Sequence, residues 1–170
     1  MYRLRVAQDR EAALDMSMID QAKAFLKAQG IDQWQTGYPD LPCIQGDIAK
    51  AKGYFLIDGE EAIIGYMCID FDGEPAYDSL NGAWLTDGTG RYGVVHRMAF
   101  DHACRGRGLA SKAFELIQSF CLQAGMRSIR IDTDDDNAIM KHLLSKNGFT
   151  YCGTIRFDNS DKIAYEKILV

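Results

Sequence analysis

The chain lacks long apolar segments and paired cysteines. No apolar run approaches the roughly 20 residues needed to cross a bilayer, and residues 1–5 lack the apolar centre of a secretion signal. We therefore expect a cytoplasmic protein with no membrane partner. The five cysteines are odd in number, and no two form a C-x-x-C pair. This scatter argues against a disulfide framework and against a metal site, so we expect no metal.

Positive charge is also scarce. Nineteen Lys and Arg residues face 24 Asp and Glu residues, which gives a net charge of −5. A nucleic-acid partner needs clustered basic residues, so we expect none here. The compact basic group that remains is Arg105, Arg107 and Lys112. An acidic protein with one small basic site suits a phosphorylated small molecule and favours a cationic second substrate.

The length and the order of the elements predict one domain of residues 1–170, with a mixed sheet flanked by helices. Asp9 is the predicted cap of the first helix, residues 58–59 turn a hairpin, and residues 72–91 form an irregular excursion. Hydrophobic periodicity predicts the other elements. The predicted strands are 2–7, 54–57, 62–71, 94–100, 128–133, 149–157 and 163–168, and the helices are 9–30, 44–52, 109–124 and 137–146.

The most informative segment is residues 92–125. An apolar run at residues 94–100 is followed by Gly106 and Gly108, and an amphipathic stretch begins at Leu109. Glycine lets the backbone turn sharply and leaves its amide groups uncovered, and a helix that begins there adds unpaired donors and a positive dipole end. We call residues 105–110 the phosphate cradle, and a pyrophosphate is its expected ligand.

Two common nucleotide motifs do not occur at the cradle. The sequence contains neither Gly-x-Gly-x-x-Gly nor the Lys-Ser/Thr pair of a phosphate loop. The alternative interpretation is a surface turn with solvated arginines. The predicted strand before the glycines and the predicted helix after them favour the phosphate site over this alternative. We expect Gly108→Val to obstruct the ligand with little effect on folding.

On these residues the chain resembles the GNAT superfamily of acetyl-CoA-dependent N-acetyltransferases. Its signature, Arg/Gln-x-x-Gly-x-Gly/Ala, is matched by Arg105, Gly108 and Ala110. Asn137, the later Gly148-Phe149 and the order of elements also follow the superfamily, over essentially the whole chain. The resemblance implies an α/β (α+β) fold with a mixed, mostly antiparallel sheet of six to seven strands and about four helices.

The resemblance also implies acetyl-CoA as co-substrate. The pantetheine arm would bond to the backbone of the central strand, and Asn137 would lie on the pantetheine side. The pyrophosphate would rest on the cradle. The implied cofactor-binding residues are Met98, Ala99, Phe100, Arg105, Gly106, Arg107, Gly108, Leu109, Ala110 and Asn137.

The implied reaction is direct attack of an amine on the thioester. The backbone N–H of Met98 is the expected donor to the oxyanion. His96 is the first candidate for the proton acceptor, since period two places it on the same strand face as Met98 and a histidine ordinarily titrates near pH 6.5. Asp132 and Asp134 are alternatives. A structural histidine and a solvated acidic turn are the competing interpretations.

One departure from the superfamily falls on the leaving-group acid. Many members carry a tyrosine seven residues after the asparagine, and here that position is Leu144. Tyr151, Tyr165 or water remain open as substitutes, with His142 a weaker option. The replacement motivates a second hypothesis, a non-catalytic acyl-CoA-binding or sensing module of the same fold. A third, a nucleophilic Cys104, lacks a recognisable histidine partner.

The acceptor is expected to be a primary amine of a small molecule or peptide. In the superfamily the N-terminal helices, their loop and the excursion before the central strand shape its pocket. The predicted substrate-binding residues are therefore Trp34, Tyr38, Tyr77 and Trp84. The alternative for each is a loop aromatic that anchors its loop to the core. The final strand pair offers an edge through which a homodimer is predicted.

Overall fold

The computed structural model describes residues 1–87, 91–157 and 159–170. Its helices are α1 (Ala12–Ala28), α2 (Leu41–Ala49), α3 (Leu109–Gln123) and α4 (Ala138–Lys146). Its strands are β1 (Arg3–Val6), β2 (Gly53–Ile57), β3 (Ile63–Asp70), β4 (Asn81–Gly82), β5 (Tyr92–Phe100), β6 (Ser128–Thr133), β7 (Thr150–Phe157) and β8 (Ser160–Ile168). Among the described residues, none of these helices is long and apolar enough to cross a bilayer.

The strands form one mixed sheet in the order β1-β2-β3-β5-β6-β8-β7-β4. The β5–β6 pair is parallel, whereas β1–β2, β2–β3, β6–β8, β7–β8 and β4–β7 are antiparallel. The predicted mixed α/β class and the four helices are confirmed. The prediction of six to seven strands was too low. The stretch predicted to be irregular contains the two-residue strand β4, which pairs with β7. Residues 88–90 of that stretch lie outside the described residues.

Two predicted helix starts were wrong. Asp9 lies in a 3-10 turn, Asp9–Glu11, rather than at the cap of a helix, and α1 begins only at Ala12. Gln8 precedes this turn, and its backbone N–H donates to the Glu11 carboxylate at 2.8 Å. Helix α2 begins at Leu41 rather than at residue 44, because the Asp40 side chain caps it by accepting from the Cys43 N–H at 2.9 Å.

The chain folds into two compact units. The first consists of Met1–Ile69 and His96–Leu116, and the second of Asp70–Val95 and Ile117–Val170. Strand β5 and helix α3 therefore contribute residues to both units.

The core of the first unit lies between its helices and its strands. Its fully buried large side chains are Met18, Ile19, Ile44, Phe55, Ile57 and Tyr66. One face of each helix is buried, because the buried residues recur mainly at spacings of three and four. They are Ala12, Asp15, Met18, Ile19 and Leu26 on α1, and Ile44, Asp47 and Ile48 on α2. Strand β3 lies close to the end of β5. A Cβ added at Gly65 would be only 2.7 Å from the ring of Phe100. Gly65 is therefore needed for this close approach.

The second unit is organised around the buried carboxylate of Glu166 on β8. It accepts hydrogen bonds from the Ser128 hydroxyl at 2.6 Å and from Arg130 Nε at 3.0 Å. It also accepts from the backbone N–H groups of Leu85 at 2.6 Å and Thr86 at 3.2 Å. Burial alone raises the pKa of a carboxyl, but these donors outweigh it and lower the pKa of Glu166. The network attaches residues 85–86 to β6 and β8.

All five cysteines are free, and Cys68, Cys121 and Cys152 are buried. The outer strand of the β7–β8 pair is β7, and β4 covers it at Gly153 and Thr154. The homodimer through this edge stays a prediction.

Asp15 on α1 is a buried carboxyl without a hydrogen-bond partner among the described residues. It has no solvent exposure, and neither of its oxygens is bonded. Burial, followed by the nearby carboxylates of Glu11 and Asp47, raises its pKa from 3.8 to about 8, although Arg5 opposes the shift. Asp15 is therefore protonated at neutral pH in the folded protein.

We predict that Asp15→Asn removes a pH-dependent loss of stability. Between pH 3.8 and about pH 8, the unfolded chain releases a proton that the folded protein keeps. The free energy of unfolding then falls with rising pH, by up to about 1.4 kcal/mol per pH unit from this group. Urea unfolding should show Asp15→Asn close to the unsubstituted protein near the acid end of this window and more stable at its alkaline end.

Asp20→Asn is the matched control, since Asp20 is exposed on the same helix. It should leave the pH dependence unchanged. An Asp15→Asn protein whose stability differs from that of the unsubstituted chain by the same amount at both ends of the window would contradict the buried, protonated state.

Candidate functional site

The phosphate cradle forms the sharp connection that was predicted between β5 and α3. Gly106 and Gly108 adopt the left-handed conformation, with φ of 78° and 69°. The first backbone bond of α3 runs from the Lys112 N–H to the Gly108 carbonyl at 3.2 Å. The amide groups at the start of α3 therefore point out of the helix end, as an anion site requires.

The backbone at both cradle glycines is uncovered. A Cβ built at Gly106 or Gly108 would meet no atom within 4 Å, whereas one at Gly153 would lie 2.2 Å from a backbone oxygen. The cradle glycines are thus explained by their left-handed conformation and not by tight packing. This corrects the expectation that Gly108→Val would have little effect on folding, since a β-branched residue is strained at that φ.

The three basic residues of the cradle region differ in their surroundings. The guanidinium of Arg105 lies 3.6 Å from the ring centroid of Phe25, which holds it against α1. Arg107 is exposed. Lys112 is paired with Glu115 at 2.6 Å, so its charge is partly compensated.

Helix α1 also fixes the turn that precedes the cradle. The side-chain oxygen of Gln21 accepts from the backbone N–H of His102 at 2.9 Å and lies 2.9 Å from its ring Nδ1. Asp101 caps the same turn through the Ala103 N–H. Gln21 and Phe25 are four residues apart on α1, so one helix face supports this whole segment.

The end of β5 carries the residues predicted to bind the thioester. His96, Met98 and Phe100 are half-buried, and Ala99 is buried. Arg97 has a φ of 53°, which places a non-glycine residue in the left-handed region inside the strand. The strict alternation that put His96 and Met98 on one face is therefore interrupted at Arg97. The catalytic role of His96 stays a prediction.

Arg97 is the centre of a buried polar network. Its Nε and Nη2 donate to the two carboxylate oxygens of Asp47 at 2.8 and 2.6 Å, and its Nη1 donates to the Tyr38 hydroxyl at 2.7 Å. Asp47 also accepts from the Tyr66 hydroxyl at 2.8 Å. Burial disfavours the charge on Arg97, but the bonds to Asp47 outweigh it, so the pKa of the guanidinium is raised.

The two carboxylates considered as alternative bases have partners in the second unit. Asp132 accepts from the Tyr77 hydroxyl at 2.7 Å. Asp134 lies just beyond the end of β6, and it is bonded to the buried ammonium group of Lys162. The solvated-turn interpretation therefore does not hold for these two residues, whereas Asp135 and Asp136 are exposed.

Asn137 is buried and caps α4, where its side-chain oxygen accepts from the Met140 N–H at 3.1 Å. Its predicted cofactor contact stays a prediction. Leu144, on the same helix, has no exposed surface, so an apolar core side chain replaces the expected acid. Tyr151 is 55% exposed and Tyr165 is buried, with their rings in an edge contact at 5.8 Å. The exposed phenol of Tyr151 is therefore the more accessible of the two.

The four aromatic residues predicted to contact the acceptor all have contacts within the protein. Trp34 packs on the core of the first unit, and the Tyr38 hydroxyl is bonded to Arg97. Tyr77 is buried, and the Trp84 indole donates to the Tyr77 carbonyl at 3.0 Å. The burial of Tyr77 and its contact with Trp84 anchor this segment to the core and explain both residues without a ligand. The substrate contacts of all four residues stay predictions.

Sequence reasoning missed Asp47 and Arg97. Their ion pair joins α2 to β5, the strand that is predicted to bind the thioester. The available signal was Arg97 itself, a charged residue inside the apolar run 94–100. A charge in such a run requires a partner. The sequence does not say which of the many carboxylates supplies it.

The comparisons with known proteins fit this arrangement. The profile of the acetyltransferase (GNAT) family matches residues 18–149. A GNAT-family acetyltransferase from Streptococcus agalactiae is 33% identical, with a TM-score of 0.86, over 98% of this chain and 95% of that chain. The chain belongs to the GNAT acetyltransferase family, a family of acyltransferases.

More distant structures share the fold. A GNAT-family acetyltransferase from Listeria monocytogenes is 18% identical, with a TM-score of 0.78 over 99% of this chain and 95% of that chain. The aminoglycoside acetyltransferase AAC(6')-Ib in complex with coenzyme A is 17% identical, with a TM-score of 0.70 over 99% of this chain and 95% of that chain. No curated protein sequence matches the chain significantly.

We predict opposite stability changes for two glycine substitutions. Gly108→Ala should lower the free energy of unfolding by about 1 kcal/mol, because alanine is strained in the left-handed conformation even where space is open. Gly46→Ala is the control, since Gly46 lies inside α2 and an added Cβ also meets nothing within 4 Å. It should raise stability by about 0.5–1 kcal/mol. Equal effects in urea unfolding would show that the conformation at Gly108 is not the constraint.

Proposed function

We propose that this chain transfers the acetyl group of acetyl-CoA directly to a primary amine of a small molecule or peptide. The observation that carries the proposal is the cradle, where two left-handed glycines leave uncovered backbone at the start of α3. Arg105 and the exposed Arg107 flank that backbone with positive charge. Amide donors, a helix N-terminus and guanidinium groups together suit a pyrophosphate.

The residues of β5 suit the reacting end of the co-substrate. The Met98 backbone N–H is the proposed donor to the thioester oxygen, whose negative charge grows as the amine attacks. His96 is the proposed acceptor of the amine proton, directly or through water. Asn137 is proposed to face the pantetheine arm. The coenzyme A thiolate departs after the carbon–sulfur bond breaks, and its acid is Tyr151, Tyr165 or water.

The acceptor is proposed to be a small cationic amine. The relative AAC(6')-Ib is named as an aminoglycoside acetyltransferase, so this fold accommodates amine substrates in at least one protein. In this chain Trp34 and Tyr38 are half-buried in the first unit, which suits contact with an organic cation. The net charge of −5 also favours a cationic substrate over an anionic one.

A second candidate function is a non-catalytic acyl-CoA-binding module. It is favoured by the complete burial of Leu144, which leaves no proton donor at the position where many members have tyrosine. Against it, a thiol with an ordinary pKa near 8.5 is already a tolerable leaving group at neutral pH. Turnover decides between the two functions.

The deciding experiment combines calorimetry with an assay of thiol release. We expect acetyl-CoA to bind, and free coenzyme A to appear faster when a reactive amine from a broad panel is present. Binding without amine-dependent release across the panel would support the sensing module. The absence of any binding heat with either coenzyme A or acetyl-CoA would contradict both functions.

We predict that Arg107→Ala weakens coenzyme A binding by about tenfold, the loss expected for one charge-assisted phosphate contact. A thioester without the nucleotide, such as S-acetyl-N-acetylcysteamine, should lose much less, because it presents no phosphate to the cradle. Arg10→Ala is the control, since Arg10 is an exposed arginine outside the cradle. Equal losses for coenzyme A and for S-acetyl-N-acetylcysteamine would reject the phosphate contact of Arg107.

A further inference from the structure

The ion pair between Asp47 on α2 and Arg97 on β5 lies next to the proposed oxyanion donor. Arg97 immediately precedes Met98, and its φ of 53° is unfavourable for a residue with a side chain. Such a conformation persists only where the surrounding structure holds it in place. Unlike Gly106 and Gly108, Arg97 has no intrinsic freedom to adopt it.

The surroundings of Arg97 supply that restraint. Two parallel hydrogen bonds, at 2.8 and 2.6 Å, connect its guanidinium to both oxygens of Asp47. The two side chains are only 10% and 9% exposed, so water competes weakly for them. Tyr66 donates to the same carboxylate, and Tyr38 accepts from the third guanidinium nitrogen. A bidentate pair of this kind fixes direction as well as distance.

We propose that Asp47, through this ion pair, holds Arg97 in the left-handed conformation and thereby sets the direction of the Met98 amide. The N–H of Met98 belongs to the peptide plane that follows Arg97, so the backbone angles of Arg97 decide where it points. Asp47 and Arg97 are then positioning residues for acetyl transfer. This inference rests on the proposed function, because it uses the role of Met98 as oxyanion donor.

The Tyr38 bond extends the same restraint to the acceptor side. Tyr38 lies in the loop between α1 and α2 and is a predicted substrate contact, and its hydroxyl is bonded to Arg97 Nη1. The guanidinium of Arg97 is therefore connected both to the backbone next to Met98, the proposed oxyanion donor, and to Tyr38, a predicted substrate contact. A misplacement of about 1 Å between reacting groups can cost about a hundredfold in rate.

The first test is Asp47→Asn, which preserves the shape of the side chain and removes its charge. We expect kcat to fall by about tenfold to a hundredfold, while KM for acetyl-CoA changes by less than about threefold because the cradle is intact. The control is Glu11→Gln, which breaks the two-pronged Arg5–Glu11 pair of the same unit. That variant should leave both constants close to those of the unsubstituted protein.

The second test separates backbone conformation from charge. The double variants Asp47→Asn/Arg97→Gly and Asp47→Asn/Arg97→Ala both lack the ion pair, but only glycine adopts a positive φ freely. We expect kcat of the glycine variant to exceed that of the alanine variant by at least about tenfold, the scale of a lost positioning contact. The single variants Arg97→Gly and Arg97→Ala provide the same comparison if Asp47→Asn does not fold.

Structure determination gives a readout that does not depend on activity. In Asp47→Asn, residue 97 is expected to leave the left-handed region. A positive φ retained there, or equal kcat for the glycine and alanine variants, would overturn the inference while the proposed function stands. An unsubstituted protein that binds no acetyl-CoA and releases no thiol would contradict the proposed function instead.

Discussion

The requirement that buried charges be compensated decides which segments of this chain are joined. Arg97 in the first unit and Arg130 in the second both lie on strands of the sheet, and each is paired with a buried carboxylate. Asp47 brings helix α2 to the end of β5, and Glu166 brings the excursion after β3 to β6 and β8. Because an unpaired charge in such a place costs several kcal/mol, these contacts are among the most strongly specified in the fold. They also fix residues that flank the proposed chemistry.

Most elements of the fold could be predicted because their signals are local. The predicted strand 128–133 coincides with β6, and helix 137–146 matches α4 with Asn137 as its cap. The strand that was missed is very short, and its partner is distant in sequence. Strand β4 consists of two residues that pair with β7, and nothing in two residues carries a periodicity. The start of α2 depended on recognising Asp40 as a cap and on accepting a proline in the first turn.

The backbone conformation of the cradle could be predicted in the same way, since two glycines between a strand and an amphipathic helix require a sharp turn. The surroundings of β5 could not. Alternation assumes an unbroken strand, and the left-handed Arg97 interrupts it without any glycine or asparagine to signal the turn. The aromatic residues predicted to contact the substrate were ambiguous for another reason. A ring that anchors a loop and a ring that contacts a ligand have the same sequence signal, and only burial distinguishes Tyr77 from Tyr38.

The distribution of the two tryptophans has a spectroscopic consequence. Trp34 packs on the core of the first unit, whereas Trp84 belongs to the second, where the Arg130 guanidinium lies 4.2 Å from its ring centroid. The indole groups therefore experience different electric fields, one beside hydrocarbon and the other beside a fixed cation. Each compact unit thus carries its own native fluorophore, and replacing either indole by phenylalanine isolates the emission of the other during denaturation.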